Sequence, residues 1–181
     1  MKAVIVYESM YGNTRTIAHA IGEGLRPTVD VTVVSAAQAS QDLVRDADLV
    51  VVGGPTHVHS LSRPATRRSA IDAAHNSGRG LTLDPFADRP GIREWMDGLG
   101  YSYGPPAAAF DTRMSGPALF TGRASKAITR LLRRHDFIVI ARPESFLVTR
   151  DNKLHQGQTI QAQEWGASLA ARLATERVHR W

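Results

Sequence analysis

The run Ser9-Met10-Tyr11-Gly12-Asn13-Thr14 holds the densest set of anion-binding groups in the chain. It follows the apolar stretch Ala3-Val4-Ile5-Val6-Tyr7 and leads into a helical pattern, Ile17, Ala18, Ile21, Gly22, Leu25. A turn between a strand and a helix presents unpaired backbone N–H groups, and the helix dipole adds positive potential at the same spot. Ser9, Asn13 and Thr14 contribute side-chain donors. The turn has one glycine and no lysine, which suits a phosphate that is held rather than transferred. A plain junction capped by Asn13 or Thr14 leaves so many donors unexplained.

Two further stretches could do chemistry. Gly54-Pro55-Thr56-His57-Val58-His59 follows the continuous apolar run Asp48–Gly53 and offers a hydroxyl and two imidazoles. A metal site needs three or four convergent ligands. His75 and His135 lie far away in sequence and no acidic cluster adjoins, so no metal is expected. The third stretch, Thr112 to Gly122, brings Arg113. That residue reads equally as a surface arginine or as a positive charge for a bound anion. No nucleophile–base–acid triad, paired-carboxylate signature or phosphate-transfer loop occurs, so no catalytic residue is assigned. Gly-x-Gly-x-x-Gly is absent, which argues against a whole dinucleotide on the first turn.

The elements that must position these residues alternate. Strands are expected at Lys2–Tyr7, Asp30–Val34, Asp48–Gly53, Ala107–Thr112 and Phe137–Ala141, the last continuing past Pro143 through Phe146 to Val148. Helices are expected from Asn13 to Arg26, from Pro64 (with Ser62 as N-cap) to Ala74, from Ala124 to His135, and from Gln158 to Arg177. Ile92, Trp95, Met96 and Leu99 are spaced as one buried helix face, which reads Trp95 as core. Asn76–Pro90 is rich in Gly, Asp and Pro and reads as a loop. The whole, residues 1–181, is expected to be a single domain with an irregular excursion at about 76–106. Five strands alternating with helices predict an open parallel α/β sheet with its ligand beyond the strand carboxyl ends.

The chain has 181 residues, no cysteine and a net charge of +5. Disulfides, thiolate catalysis and iron–sulfur clusters are excluded, and a reducing cytoplasm fits. Lys2 precedes an apolar run too short for a secretory leader, and no stretch is long enough to span a membrane. The charge is uneven. Residues 1–100 carry 10 Lys+Arg against 11 Asp+Glu, whereas residues 101–181 carry 12 against 6. Much of the excess lies on the Ala124–His135 helix, which reads as a solvated face or as a docking face for an acidic partner. Aromatic residues do not interleave with it, so nucleic acid is not expected.

Together the three stretches resemble the flavodoxin-like family of FMN proteins. The first is similar to the family's phosphate loop, Gly54-Pro55-Thr56 to its Gly-x-Pro-Thr element beside the flavin, and Thr112–Gly122 to the loop closing the ring's other side. The resemblance implies a three-layer sandwich with a five-stranded parallel sheet in the order 2-1-3-4-5, a topology known for flavodoxin. It implies FMN held by Ser9, Met10, Tyr11, Gly12, Asn13 and Thr14 at the phosphate, by Pro55, Thr56, His57 and Val58 at the flavin edge, and by Thr112 and Arg113 near the pyrimidine. It further implies electron transfer, to a redox partner protein or, as an alternative, directly to a small acceptor as in FMN-dependent NAD(P)H:quinone oxidoreductases. Ser-x-Tyr-Gly looks more like the quinone-reductase branch. A scaffold of this fold that has lost its flavin is the reserve reading. Flavodoxins can flip a glycine-containing peptide beside the ring, and Pro55–Ser60 contains no glycine to allow positive φ.

Overall fold

The computed structural model describes residues 1–76, 80–100 and 104–178. The chain runs β1(Lys2–Tyr7), α1(Asn13–Leu25), β2(Asp30–Ser35), α2(Gln41–Arg45), β3(Leu49–His57), β4(Ser60–Leu61), α3(Pro64–Asn76), α4(Ile92–Gly98), β5(Pro106–Met114), α5(Ala118–Thr121), α6(Ala124–Arg134), β6(Ile138–Val139), β7(Glu144–Val148) and α7(Gln158–Val178). The sheet is ordered β2-β1-β3-β5-β6, with β7 also pairing β5 and the short β4 pairing β3. All pairs are parallel except β3–β4. β6 and β7 occupy one strand position at opposite ends of β5, so the expected order 2-1-3-4-5 stands with its fifth strand divided. The division falls at Arg142-Pro143, between the pairs Ala107↔Val139 and Phe110↔Glu144. Proline has no N–H to give a ladder.

Strand residues bury both faces in alternation, as a doubly covered parallel sheet requires. Ile5, Val51, Ala108 and Phe110 pack with Ile17, Ile21, Leu169 and Leu173 of α1 and α7. Val4, Val6, Val50 and Val52 pack on the other side with Ile92, Met96, Ile128 and Leu132 of α4 and α6. Trp95 is buried there, and its Nε1 donates to the Ala39 carbonyl at 3.0 Å. α1 and α7 approach unusually closely. A Cβ on Gly24 would overlap the Gln163 carbonyl, and one on Gly166 would overlap that of Ile21.

Several boundaries differ from the sequence reading. β3 runs on through the second stretch to His57, and β5 runs through Arg113 to Met114, because β3 and β5 keep pairing out to Pro55↔Thr112. Ser62 does not cap α3. Its hydroxyl turns to Glu8, and Arg63 precedes Pro64 instead. α2 and β4 were not anticipated. The excursion is partly regular: Asp84 N–H donates to the Met10 carbonyl at 2.8 Å, so this segment braces the first turn from behind. Tyr101 and Tyr103 lie outside the described residues.

Candidate functional site

The carboxyl ends of β1, β3, β5 and β7 surround a cavity of about 210 Å³. Ser9, Met10, Tyr11, Asn13 and Thr14 form one wall, Pro55, Thr56 and His57 a second, and Thr112 and Arg113 a third. The structure thus brings together every sequence-selected residue except Gly12 and Val58. Gly12 turns the chain into α1 at φ 89, a value glycine adopts freely. Val58 stands at the tip of the β3–β4 hairpin, 79% exposed. A fourth wall, Val148, Thr149, Arg150 and Asn152 with neighbouring Met114, was missed. The polar run Arg150-Asp151-Asn152 directly after an apolar strand was the signal for it.

At the first turn, Gly12 N–H donates to Ser9 Oγ at 3.0 Å and Thr16 N–H to the Gly12 carbonyl at 2.9 Å. The N–H groups of Asn13, Thr14 and Arg15 therefore belong to the unpaired first turn of α1. Two side chains expected to face an anion are used internally. Asn13 Nδ2 donates to the Asn152 carbonyl and Oδ1 at 2.9 and 3.1 Å, which closes the fourth wall onto the first. Thr14 Oγ1 lies 2.7 Å from Thr112 Oγ1, both side chains buried, which joins the first wall to the third. Tyr11 donates its hydroxyl to the Ala70 carbonyl at 2.7 Å and anchors the turn to α3. Arg15 pairs with buried Asp84 at 3.4 Å. Backbone N–H groups, rather than side chains, are what the turn offers an anion.

Arg113 is no surface residue. It is 8% exposed, and its Nη1 donates to the carbonyls of Met114 and Gly116 and to Thr121 Oγ1, at 3.3, 2.8 and 2.9 Å. Burial lowers its pKa, with Asp111 opposing and Arg123 reinforcing. Its Nε is buried without a hydrogen-bond partner. Thr56 Oγ1 accepts from Ala124 N–H at 3.0 Å, and Asp111 accepts from Ser125 N–H at 2.7 Å, so both fasten the start of α6. Burial, followed by the charge of Arg67, pushes the His57 imidazole below its ordinary value, which keeps it neutral at pH 7.

The hairpin tip is strained. Beyond the closing pair His57↔Ser60, Val58 and His59 take φ values of 45 and 67. Left-handed backbone is reached here without glycine. The cost falls on a β-branched residue in a turn that suits Asn-Gly. An isolated bridge from His59 to Gly122 holds the tip against the third wall. Val58→Asn should raise stability by about 1 kcal/mol, read as a higher urea midpoint at unchanged slope.

Behind the second wall lies a buried polar cluster. Glu8, 6% exposed, accepts from the Ser62 hydroxyl and, at 3.0 Å, from Ile92 N–H. Arg67 Nη1 donates to Ser62 Oγ at 3.2 Å, and its Nη2 pairs with Glu94 at 3.1 Å. Burial raises the Glu8 pKa despite these donors and the Arg67 charge, with Glu94 adding to the rise. The unfolded chain releases this proton at lower pH than the folded one. Stability contributed by Glu8 is therefore full below the ordinary glutamate range and is lost as pH rises through the elevated one. Glu8→Gln should remove that downward slope, as measured by denaturation midpoints across pH 4–8.

Fold and site geometry together define the class: this is a flavodoxin fold. A flavodoxin from the domain Archaea matches with a TM-score of 0.62 at 21% identity, over 96% of this chain and 99% of that one. Flavodoxin 1 from Bacillus cereus matches with a TM-score of 0.62 at 18% identity, over 97% and 98%. The flavodiiron protein from Giardia intestinalis gives 0.61 at 22% identity over 96% of this chain, but only 36% of its own length is covered. Residues 4–67, which carry the first and second walls, match the Flavodoxin_5 family, a flavodoxin domain. An uncharacterized protein of Methanocaldococcus jannaschii is 43% identical over 60 residues, which is 30% of this chain and 15% of that protein. Among the described residues no group of three His, Asp or Glu could hold a metal, and no helix is long and apolar enough to cross a membrane.

Proposed function

We propose that the cavity holds FMN and that the protein is an electron-transfer flavoprotein. The carrying observation is the donor set of one cavity. The unpaired first turn of α1 offers backbone N–H groups to a phosphate, and the same cavity is lined by two arginines, Arg113 and Arg150, on other walls. Such a set suits an anionic occupant with further carbonyl oxygens. Bound FMN supplies one- or two-electron transfer, and the protein supplies position and electrostatics. The α1 N–H groups fix the phosphate, and the Thr14–Thr112 contact holds two walls at constant separation. Neutral His57 adds no positive charge on the second wall, so Arg113 and Arg150, on the third and fourth walls, are the side chains that favour negative charge on the occupant. Flavin titration followed by absorbance during stepwise reduction tests this. Stoichiometric binding with a bleached visible band on reduction is expected, and a colourless protein at saturating FMN overturns it.

The acceptor follows from the same walls. An acidic partner protein is one candidate, given the surplus of Lys and Arg after residue 100. A second reading, direct reduction of a small acceptor such as a quinone, is favoured by one observation. Phe120, the only aromatic residue of the third stretch, is 71% exposed and does not line the cavity. A flat acceptor therefore meets no aromatic lid from that side. NAD(P)H-dependent quinone reduction without an added reductase would establish this second reading. Its absence, with turnover restored by a reductase and a protein acceptor, would establish the carrier.

A further inference from the structure

We propose that a second cavity, at the break in the fifth strand position, binds a ligand that carries a diphosphate and a flat ring, of the nucleoside diphosphate class. It is walled by Arg133 at the end of α6, Arg142 in the break between β6 and β7, and Arg172 on α7, together with Trp165, Ser168 and Glu144, and it measures about 530 Å³. It lies at the opposite end of β7 from the first cavity. Glu144 to Val148 spans roughly 13 Å at the usual strand rise.

Three elements distant in sequence bring these guanidinium groups to one hollow. That convergence is unlike a charged stripe along a single helix. Five arginines elsewhere are matched by acids: Arg15 by Asp84, Arg26 by Glu23, Arg45 by Asp42, Arg67 by Glu94 and Arg89 by Asp88. Among the described residues, none of the three cavity arginines forms an ion pair. The wall holds one acid, Glu144, which accepts from Gln161 Nε2 at 2.9 Å. Three arginines against one glutamate leave a surplus of positive charge around the cavity, and an anion relieves the repulsion. Planar guanidinium forks match phosphate oxygens in pairs. Arg133 is not needed for the α6 dipole, since Arg134 on the same turn also serves that end.

Trp165 supplies the ring contact. It packs edge-on against Phe110 and Phe146, with centroids 6.4 and 6.3 Å away, which fixes its plane from the core side while it lines the cavity on the other. Ser168 Oγ donates to the Trp165 carbonyl at 2.7 Å, so its lone pairs remain to accept from a ring amine or a sugar hydroxyl. The cavity lies where neither β6 nor β7 pairs with Ala108 or Ala109 of β5, so a ligand there displaces no ladder.

Isothermal titration of ADP, pyrophosphate and inorganic phosphate into FMN-saturated protein, and separately into Thr14→Asp protein, tests this. ADP should bind in both settings. Arg142→Ala and Arg172→Ala, both at exposed positions, should each weaken it about tenfold. Pyrophosphate should bind about tenfold or more weaker than ADP, since it lacks the stacking ring. Absent ADP binding, or affinity unchanged in both arginine variants, overturns the site. Pyrophosphate as tight as ADP overturns the ring contact. ADP binding lost in Thr14→Asp alone would assign ADP to the first turn and overturn the second site as well. The arginine-variant and pyrophosphate outcomes do not depend on whether FMN occupies the first cavity, so failure of this site and failure of the FMN reading are told apart.

Discussion

Thr14→Asp should abolish FMN binding while the protein stays folded. Thr14 is 2% exposed, sits in the unpaired first turn of α1 and lines the cavity. Although the Thr14 side chain turns to Thr112, a carboxylate there lies within the same helical turn whose N–H groups would hold the phosphate, close enough to repel it. At about 4 Å and an effective dielectric near 20, each pair of like unit charges costs about 4 kcal/mol. Each 1.4 kcal/mol is roughly a factor of ten, so even one such pair weakens binding by about a thousandfold. Thr14→Val is the control. It removes the 2.7 Å contact to Thr112 Oγ1 without adding charge, so it should cost about 1–3 kcal/mol of stability for the unpaired hydroxyl and far less affinity. Quenching of flavin fluorescence gives both dissociation constants. Equal affinity of Thr14→Asp and the parent would remove the first turn from the site.

The largest stability loss is expected from Gly24→Ala. Helix propensity alone favours alanine by about 1 kcal/mol. The new methyl, however, would overlap the Gln163 carbonyl and crowd Ala167 N. These are backbone atoms in a long helix and cannot rotate away. Relief requires α1 and α7 to separate along a seam that includes Ile17, Ile21, Leu169 and Leu173. Overpacking of this kind costs about 1–3 kcal/mol, and separating buried apolar groups adds about 25 cal/mol per Å² exposed. A net loss of about 3 kcal/mol is expected, which in a chain of this size lowers Tm by roughly 6–12 °C. Stability equal to or above the parent would show that propensity wins and that the seam yields.

The sheet was legible because its inner strands are unbroken apolar runs, such as Leu49-Val50-Val51-Val52. A strand buried on both faces needs such a run and little else in the chain resembles it. The elements that escaped are those too short to show a period. α2 buries only Val44 across five residues, and β4 has two residues. The first turn was legible from its residue types, but not the use made of each. Whether Asn13 and Thr14 face a ligand or a neighbouring wall depends on Asn152 and Thr112, more than ninety residues away. No local pattern encodes such pairings. Asp84 is the clearest case. A single acid in a Pro- and Gly-rich stretch carries no motif, yet it holds both the Met10 carbonyl and Arg15 in place. Arg113 reads equally by residue type as surface or as a charge for an anion, and the continuation of β5 beyond Thr112 is what draws it inward.

The glycine seam between α1 and α7 has a temporal consequence. During synthesis α1 leaves the ribosome with Gly24 and its apolar face bare, and the helix that covers them is made after every strand of the sheet. Contacts of such large sequence separation form late and slowly. Until they form, the turn ahead of α1 has no rigid helix behind it. The nascent chain should therefore acquire its grip on an anion as one of its final folding events, and should depend on chaperones for most of its elongation.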